Sequence, residues 1–278
     1  MQRSSSEFRI ACELVRNGVI GKIKNVGIAV GDPGRPCDLP EESPEPGLNW
    51  DLWCGPAPMR AYSSVLSPRG IHNHFPAWRN YMEYGGGMVT DWGAHHIDIA
   101  QWGLGTDDSG PVEARPPEDW KKWKSKRGAK LVYSNGTTIT HQSGFGVHFE
   151  GEDGDVKVNR GRFVFSLKGK EIAKFEKRGD GSLGSALQTA EKTFLNSAKV
   201  KLYKSTHHIR DFLSSVESRK KPITNEIVGD RSAICCHLMN QTYYNGEVIK
   251  WDPKTNTLSE QTGKPEWLTR NYRGIWKV

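Results

Sequence analysis

Residues 131–142 read LVYSNGTTITHQ and residues 147–167 read VHFEGEDGDVKVNRGRFVFSL. In the first stretch, Asn135-Gly136 separates two short runs rich in β-branched and aromatic residues, the pattern of a hairpin closed by a two-residue turn. In the second, apolar residues recur at every other position and the runs are broken by clusters of Gly, Asp and Asn. Short strands joined by tight turns pair with their sequence neighbours, so this region predicts an antiparallel sheet.

Outward from it the period changes. Ser4, Ser5 and Ser6 can cap a helix, with Glu7 in its first turn and Phe8, Ala11, Cys12 and Val15 on one face. Asn17-Gly18 ends that helix, and Lys22 to Val30 alternates as a strand. Towards the C-terminus, residues 176–200 are polar and carry no clear period. Thr206 then caps a helix with the apolar stripe Ile209, Phe212, Leu213 and Val216, and a longer helix spans Glu226 to Tyr244. The tail, residues 250–278, reads as irregular. Residues 31–84 and 106–130 read as long irregular loops, the first opening on GDPGRPCDLPEESPEPGL. Helix and strand first, hairpins next and helices last predict an α+β fold, a largely antiparallel sheet with helices on one face. We expect one domain over residues 1–278, with residues 1–20 as a linker helix.

Composition narrows the function. The 278 residues carry a formal net charge of +7, but the cations are scattered. Their densest stretch, Lys121 to Lys130, encloses Trp120 and Trp123 and reads as a solvated loop or a phosphate patch; no nucleic-acid motif accompanies it. No run of about 18 apolar residues exists, so no membrane span is expected, and the first residues lack a signal-peptide core. The five cysteines, an odd number with irregular spacing and no CxxC pair, read as reduced thiols in a cytoplasmic protein.

The chemistry concentrates in GGGMVTDWGAHHID, Gly85 to Asp98. Three glycines allow unusual backbone angles and close approach of a ligand. A helix from Asp91 puts Asp91, His95 and Asp98 on one stripe, with His96 about 100° round, above Trp92. A carboxylate one turn from a histidine can orient the ring for acid–base work. With His72 and His74, the set Asp91, His95 and His96 can equally hold a divalent metal such as zinc that activates water. A purely structural reading also stands: Asp91 as a helix cap, the histidines as bonded core residues, and the nearby tryptophans as packing. His141 and His148 fall on strands and can face either side of the sheet.

GGGMVTDWGAHHIDIAQWGLG resembles a signature of the glucose–fructose oxidoreductase, inositol dehydrogenase and MocA (Gfo/Idh/MocA) family. It reads roughly G-G-G-x-x-x-D-x-G-x-H-x-x-D, and falls on Gly85, Gly86, Gly87, Asp91, Gly93, His95 and Asp98. The stretches QRSSSEFRIACELVRNGVIGKI, Asn49 to Pro58, and HHIRDFLSSVESRKKPITNEIVGDRSAICCHLMN resemble the same family in the same order. The resemblance implies the C-terminal domain of an NAD(P)-dependent sugar or polyol dehydrogenase, built on a large open, mostly antiparallel sheet. It implies His95 as the acid–base residue for the substrate hydroxyl and Asp91 as its helper. Trp53, His74, Trp78, Arg79, Trp92 and His96 are the expected contacts of a carbohydrate-like substrate, since aromatic faces suit the apolar side of a sugar ring. The open face is expected to leave apolar surface for a homo-oligomer.

The family's Rossmann half is not recognisable in this sequence. No early strand leads into G-x-G-x-x-G, and no Glu-Lys-Pro triplet, the source of the family's catalytic lysine, occurs. Gly179 to Gly184 matches the glycine pattern only literally, after the charged run EIAKFEKR. No cofactor is therefore expected for this chain alone. The alternatives are a metal-assisted hydrolase and a non-catalytic carbohydrate-binding or oligomerisation module.

Overall fold

Strand alternation sorts this chain into two faces across the whole width of its sheet. The computed structural model describes residues 1–70 and 76–276. In chain order its strands are β1 (Ile23–Ile28), β2 (Glu113–Arg115), β3 (Lys130–Val132), β4 (Thr138–His141), β5 (Val147–Gly151), β6 (Gly154–Asn159), β7 (Arg162–Leu167), β8 (Lys170–Phe175), β9 (Ile249–Asp252) and β10 (Thr257–Ser259). They form one ten-stranded sheet in the order β10-β9-β2-β3-β4-β1-β5-β6-β7-β8. Among the described strands only β1 and β4 pair in parallel.

The register aligns Ile249, Ala114, Leu131, Ile139, Val26, Phe149, Val156, Phe165 and Ala173 in one row over nine strands. All nine are buried. Helices α1 (Ser6–Arg16), α3 (Asp91–Leu104), α4 (Leu183–Phe194) and α6 (Glu226–Asn245) cover that face. The remaining two helices, α2 (Trp50–Cys54) and α5 (His208–Ser218), lie peripherally. Helix α3 crosses so closely that a Cβ on Gly103 would come within 2.5 Å of the Phe149 ring. His141 belongs to this inner side: its Nδ1 lies 2.8 Å from the Tyr243 hydroxyl and its Nε2 faces the Val30 carbonyl at 3.3 Å. Burial and the Arg127 charge push its pKa down to about 4.

The opposite face departs from expectation, because it is polar. Thr138 and Thr140 both donate to Asn25 Oδ1. His148 sits between Asp155 and Glu150, and Lys250 and Arg115 meet Glu113. Paired charges replace the apolar surface that an oligomer interface was expected to need.

Several elements also differ from the sequence reading. The loop 106–130 contains β2, and the loop 31–84 contains α2 and a 3-10 turn at Ala77–Asn80. Residues 176–200 contain α4, and the tail contains β9 and β10. His207, whose ring accepts from the Arg210 N–H, caps α5 in place of Thr206. The helix expected from Asp91 runs to Leu104 and closes at Gly105 in the left-handed conformation. Helix α5 is inverted: Asp211 is buried, while Ile209, Phe212, Leu213 and Val216 are all about half exposed. Asp211 fixes this orientation by accepting from the Ile223 N–H at 2.9 Å. Among the described residues no helix is long and apolar enough to cross a membrane.

Candidate functional site

The site grows from the glycine turn that starts α3. Gly86 and Gly87 have φ of 78° and 77°, a region that favours glycine. A Cβ on Gly87 would lie 2.3 Å from the Gly34 amide nitrogen. The room left by the missing side chains is thus filled by the Pro33–Gly34 backbone rather than by a ligand. The Gly87 N–H donates to the Arg79 carbonyl at 2.7 Å, and Asn240 on α6 donates to the Gly86 carbonyl at 2.6 Å. These bonds fix both the entry to α3 and the Trp78-Arg79 turn beside it.

Asp91 is the first residue of α3, after Thr90, and is not its cap. Its Oδ2 accepts from Arg79 Nε at 2.8 Å, and the Arg79 guanidinium lies 5.2 Å from the centre of the Trp78 ring. Trp78, Arg79 and Asp91 therefore form one partly exposed group. The expected pairing of Asp91 with His95 is not made; the stronger partner for the carboxylate is the guanidinium.

His95 is exposed one turn further along. Its Nδ1 lies 2.9 Å from one end of the Gln2 carboxamide, and Arg160 Nε and Nη2 lie 3.0 and 3.2 Å from the other; since Arg160 can only donate, the amide oxygen belongs at the Arg160 end and the NH2 at the His95 end. Arg160 comes from the turn between β6 and β7 and lies 4.3 Å from the centre of the Trp92 ring. Partial burial and Arg160 hold the His95 pKa below the usual histidine value, against the pull of Asp91 and Asp98.

His96 differs from the role expected of it. It is 3% exposed, and its Nε2 accepts from Arg160 Nη1 at 3.2 Å. Burial and Arg160 push its pKa down to about 4. The lone pair that would reach a substrate or a metal is already covered by a fixed cation, so His96 is a packing residue. Among the described residues no group of three His, Cys, Asp or Glu side chains is placed to hold a metal ion. His72 and His74 lie outside the described residues.

Asp98 also leaves the site. It takes a forked pair of hydrogen bonds from Arg3 and one from Ser232, and Arg3 reaches on to Asp107. Arg3 is 2% exposed and packs over Trp102. This clamp seats the 3-10 turn Gln2–Ser4 against α3, which is how Gln2 reaches His95. Gln2 and Arg160 were not found from the sequence; the only signal at either was the turn Asn159-Arg160-Gly161. Trp53 stacks on Trp50 at 4.4 Å and meets Tyr84 edge-on, while Trp92 is 44% exposed beside His95.

Two side motifs resolve as structure. Gly179 to Gly184 forms a 3-10 turn and the capped start of α4, after β8, which pairs antiparallel with β7 at the edge of the sheet. In the basic stretch, Lys126 and Arg127 pair with Asp32, and Trp120 donates to the Tyr243 carbonyl. It borders a cleft of about 400 Å³ with Arg35 and Tyr244.

A family model described as "Oxidoreductase family, C-terminal alpha/beta domain" matches residues 34–278. Among solved structures the chain is similar to levoglucosan dehydrogenase in complex with NADH and L-sorbose, at 12% identity and TM-score 0.51, over 91% of this chain and 65% of that one. It is also similar to an oxidoreductase domain protein from Kribbella flavida, at 12% identity and TM-score 0.50, over 90% and 63%. A third is aldose-aldose oxidoreductase from Caulobacter crescentus complexed with glycerol, at 15% identity and TM-score 0.49, over 89% and 62%. The chain spans less than two-thirds of the length of these solved proteins. No curated protein matches its sequence.

Proposed function

The chain belongs to the oxidoreductase family that carries this C-terminal alpha/beta domain, and from that premise we propose that it forms the substrate-binding half of a sugar or polyol oxidoreductase. His95 is the acid–base residue at the reacting oxygen. The observation that carries this reading is the exposed His95 ring at the start of α3. It is flanked by the half-exposed Trp92 face and by the Trp78–Arg79–Asp91 group.

The parts suit a carbohydrate. A tryptophan face takes the apolar side of a sugar ring. The Asp91 carboxylate holds the Arg79 guanidinium in place beside Trp78, and a guanidinium is the donor type that complements hydroxyl oxygens. Asp91 serves by orienting Arg79. The substrate class is in keeping with the levoglucosan dehydrogenase solved with L-sorbose.

The literal glycine fingerprint at Gly179 to Gly184 does not read as a dinucleotide site: among the described residues it follows an antiparallel edge strand and caps a helix, with no crossover unit around it. Five free thiols, with Cys235 and Cys236 adjacent and buried, fit a cytoplasmic setting. Self-association through the open sheet face would have to use its paired charges. Light scattering that reports a dimer at low salt and a monomer at high salt would support that arrangement.

The reading is tested by ligand-dependent thermal stabilisation with a panel of aldoses, polyols and anhydrosugars. At least one should raise the melting temperature of the wild type, and His95→Ala and Trp92→Ala should lose most of that rise while keeping the unliganded value. A flat response across the panel would remove the proposal.

A further inference from the structure

Gln2, Arg160 and His95 make a chain of three side chains in which one placement of the hydrogens is consistent. A guanidinium has donors and no acceptor. Arg160 presents Nε and Nη2 to the Gln2 carboxamide at 3.0 and 3.2 Å, so the amide oxygen must face it. The amide NH2 then faces His95 Nδ1 at 2.9 Å, and that nitrogen must accept. A neutral imidazole that accepts at Nδ1 carries its hydrogen on Nε2.

We propose that Arg160, acting through the Gln2 amide, holds His95 as the neutral Nε2–H tautomer, so that His95 meets a substrate oxygen as a hydrogen-bond donor. The inference rests on the reading of His95 as the residue at the reacting oxygen, but the relay exists whether or not substrate binds. Gln2 and Arg160 are positioning residues. Arg160 is itself held, since Nη1 donates to His96 Nε2 at 3.2 Å and its plane lies over Trp92.

The relay opposes both other states of the ring. Accepting a proton from a hydroxyl at Nε2 requires the hydrogen on Nδ1, where it would face the amide NH2. Imidazolium has the same conflict. Turning the amide relieves it only by setting NH2 against the Arg160 donors. Around the ring, Arg160 opposes a positive charge, while Asp91 and Asp98 on its own helix favour one. His95 therefore polarises a carbonyl or orients a hydroxyl at rest, and serves as a base only after Gln2 turns away.

The test is long-range proton–nitrogen NMR of the full chain labelled with nitrogen-15, with the His95 signals assigned by their loss in His95→Asn. The expected result is a pyrrole-type Nε2 and a pyridine-type Nδ1 from pH 6 to 8, without ligand. Gln2→Glu should reverse this, because a carboxylate accepts from Nδ1–H, and should raise the His95 pKa. An unchanged amide fingerprint checks that the variant is folded. An Nδ1–H majority in the wild type overturns the proposal, as does a Gln2→Glu protein with the wild-type tautomer. Failure of sugar binding would leave these signals unchanged, so the relay and the substrate reading fail separately.

Discussion

At the scale of single residues, the N-terminal clamp governs the site without joining its chemistry. Arg3 is buried with two carboxylates, so removing one leaves a charge short of partners. Asp98→Ala should cost about 3 kcal/mol in urea unfolding, and loosening of the Gln2–Ser4 turn should accompany it. A cost near zero would mean that Asp107 alone satisfies Arg3. Such residues were illegible in the sequence. Gln2 and Arg3 precede a serine run, carry no period, and acquire partners only when α3 folds against them. Asp91 and His95 were legible because a glycine turn and a four-residue spacing are local. The partner of Asp91 was not, since Arg79 reaches it from a separate turn.

At the scale of elements, two glycines give opposite expectations. A Cβ on Gly27 would meet only the end of the Gln142 side chain, whereas one on Gly87 would meet backbone, at φ 77°. Gly27→Ala should therefore leave the melting temperature close to wild type, and Gly87→Ala should lower stability by several kcal/mol, on the order of 3 or more. Equal effects would contradict the packing of Pro33–Gly34 on the turn. Helix α5 illustrates what periodicity can and cannot carry. Its stripe was legible as a helix face, but period alone leaves open which way the face points, and Asp211 turns the polar side inward. Phe212→Ser with Leu213→Ser should change unfolding free energy by less than about 1 kcal/mol while reducing binding of a hydrophobic dye. A large loss of stability would place the stripe in the core.

At the scale of the whole molecule, two histidines make stability depend on pH. His96 and His141 have folded pKa values of about 4, below the unfolded value near 6.5. The unfolded state therefore binds more protons between those limits. Their contribution is complete above about pH 6.5 and is lost as pH falls towards about 4, with a slope of up to about 1.4 kcal/mol per pH unit for each. His141→Gln should flatten the dependence measured by denaturant titration across that window; an unchanged slope would refute the buried neutral state. The sheet was legible at this scale because hairpins pair neighbours. Its charged outer face was not foreseen, although the alternating Lys, Glu and Asp of β5, β6 and β8 stood in the sequence.

The position of β1 has a consequence for how the chain is made. It lies in the middle of the sheet, between β4 and β5, yet its partners follow it by more than a hundred residues. During synthesis, Val26 and Ile28 emerge more than a hundred residues ahead of both partners and wait unpaired until residues near 150 arrive. Contacts so distant along the chain close slowly, and a waiting apolar strand is open to association with other unfinished chains. Yield during expression should therefore be governed by the supply of chaperones while the residues between β1 and β5 are being translated.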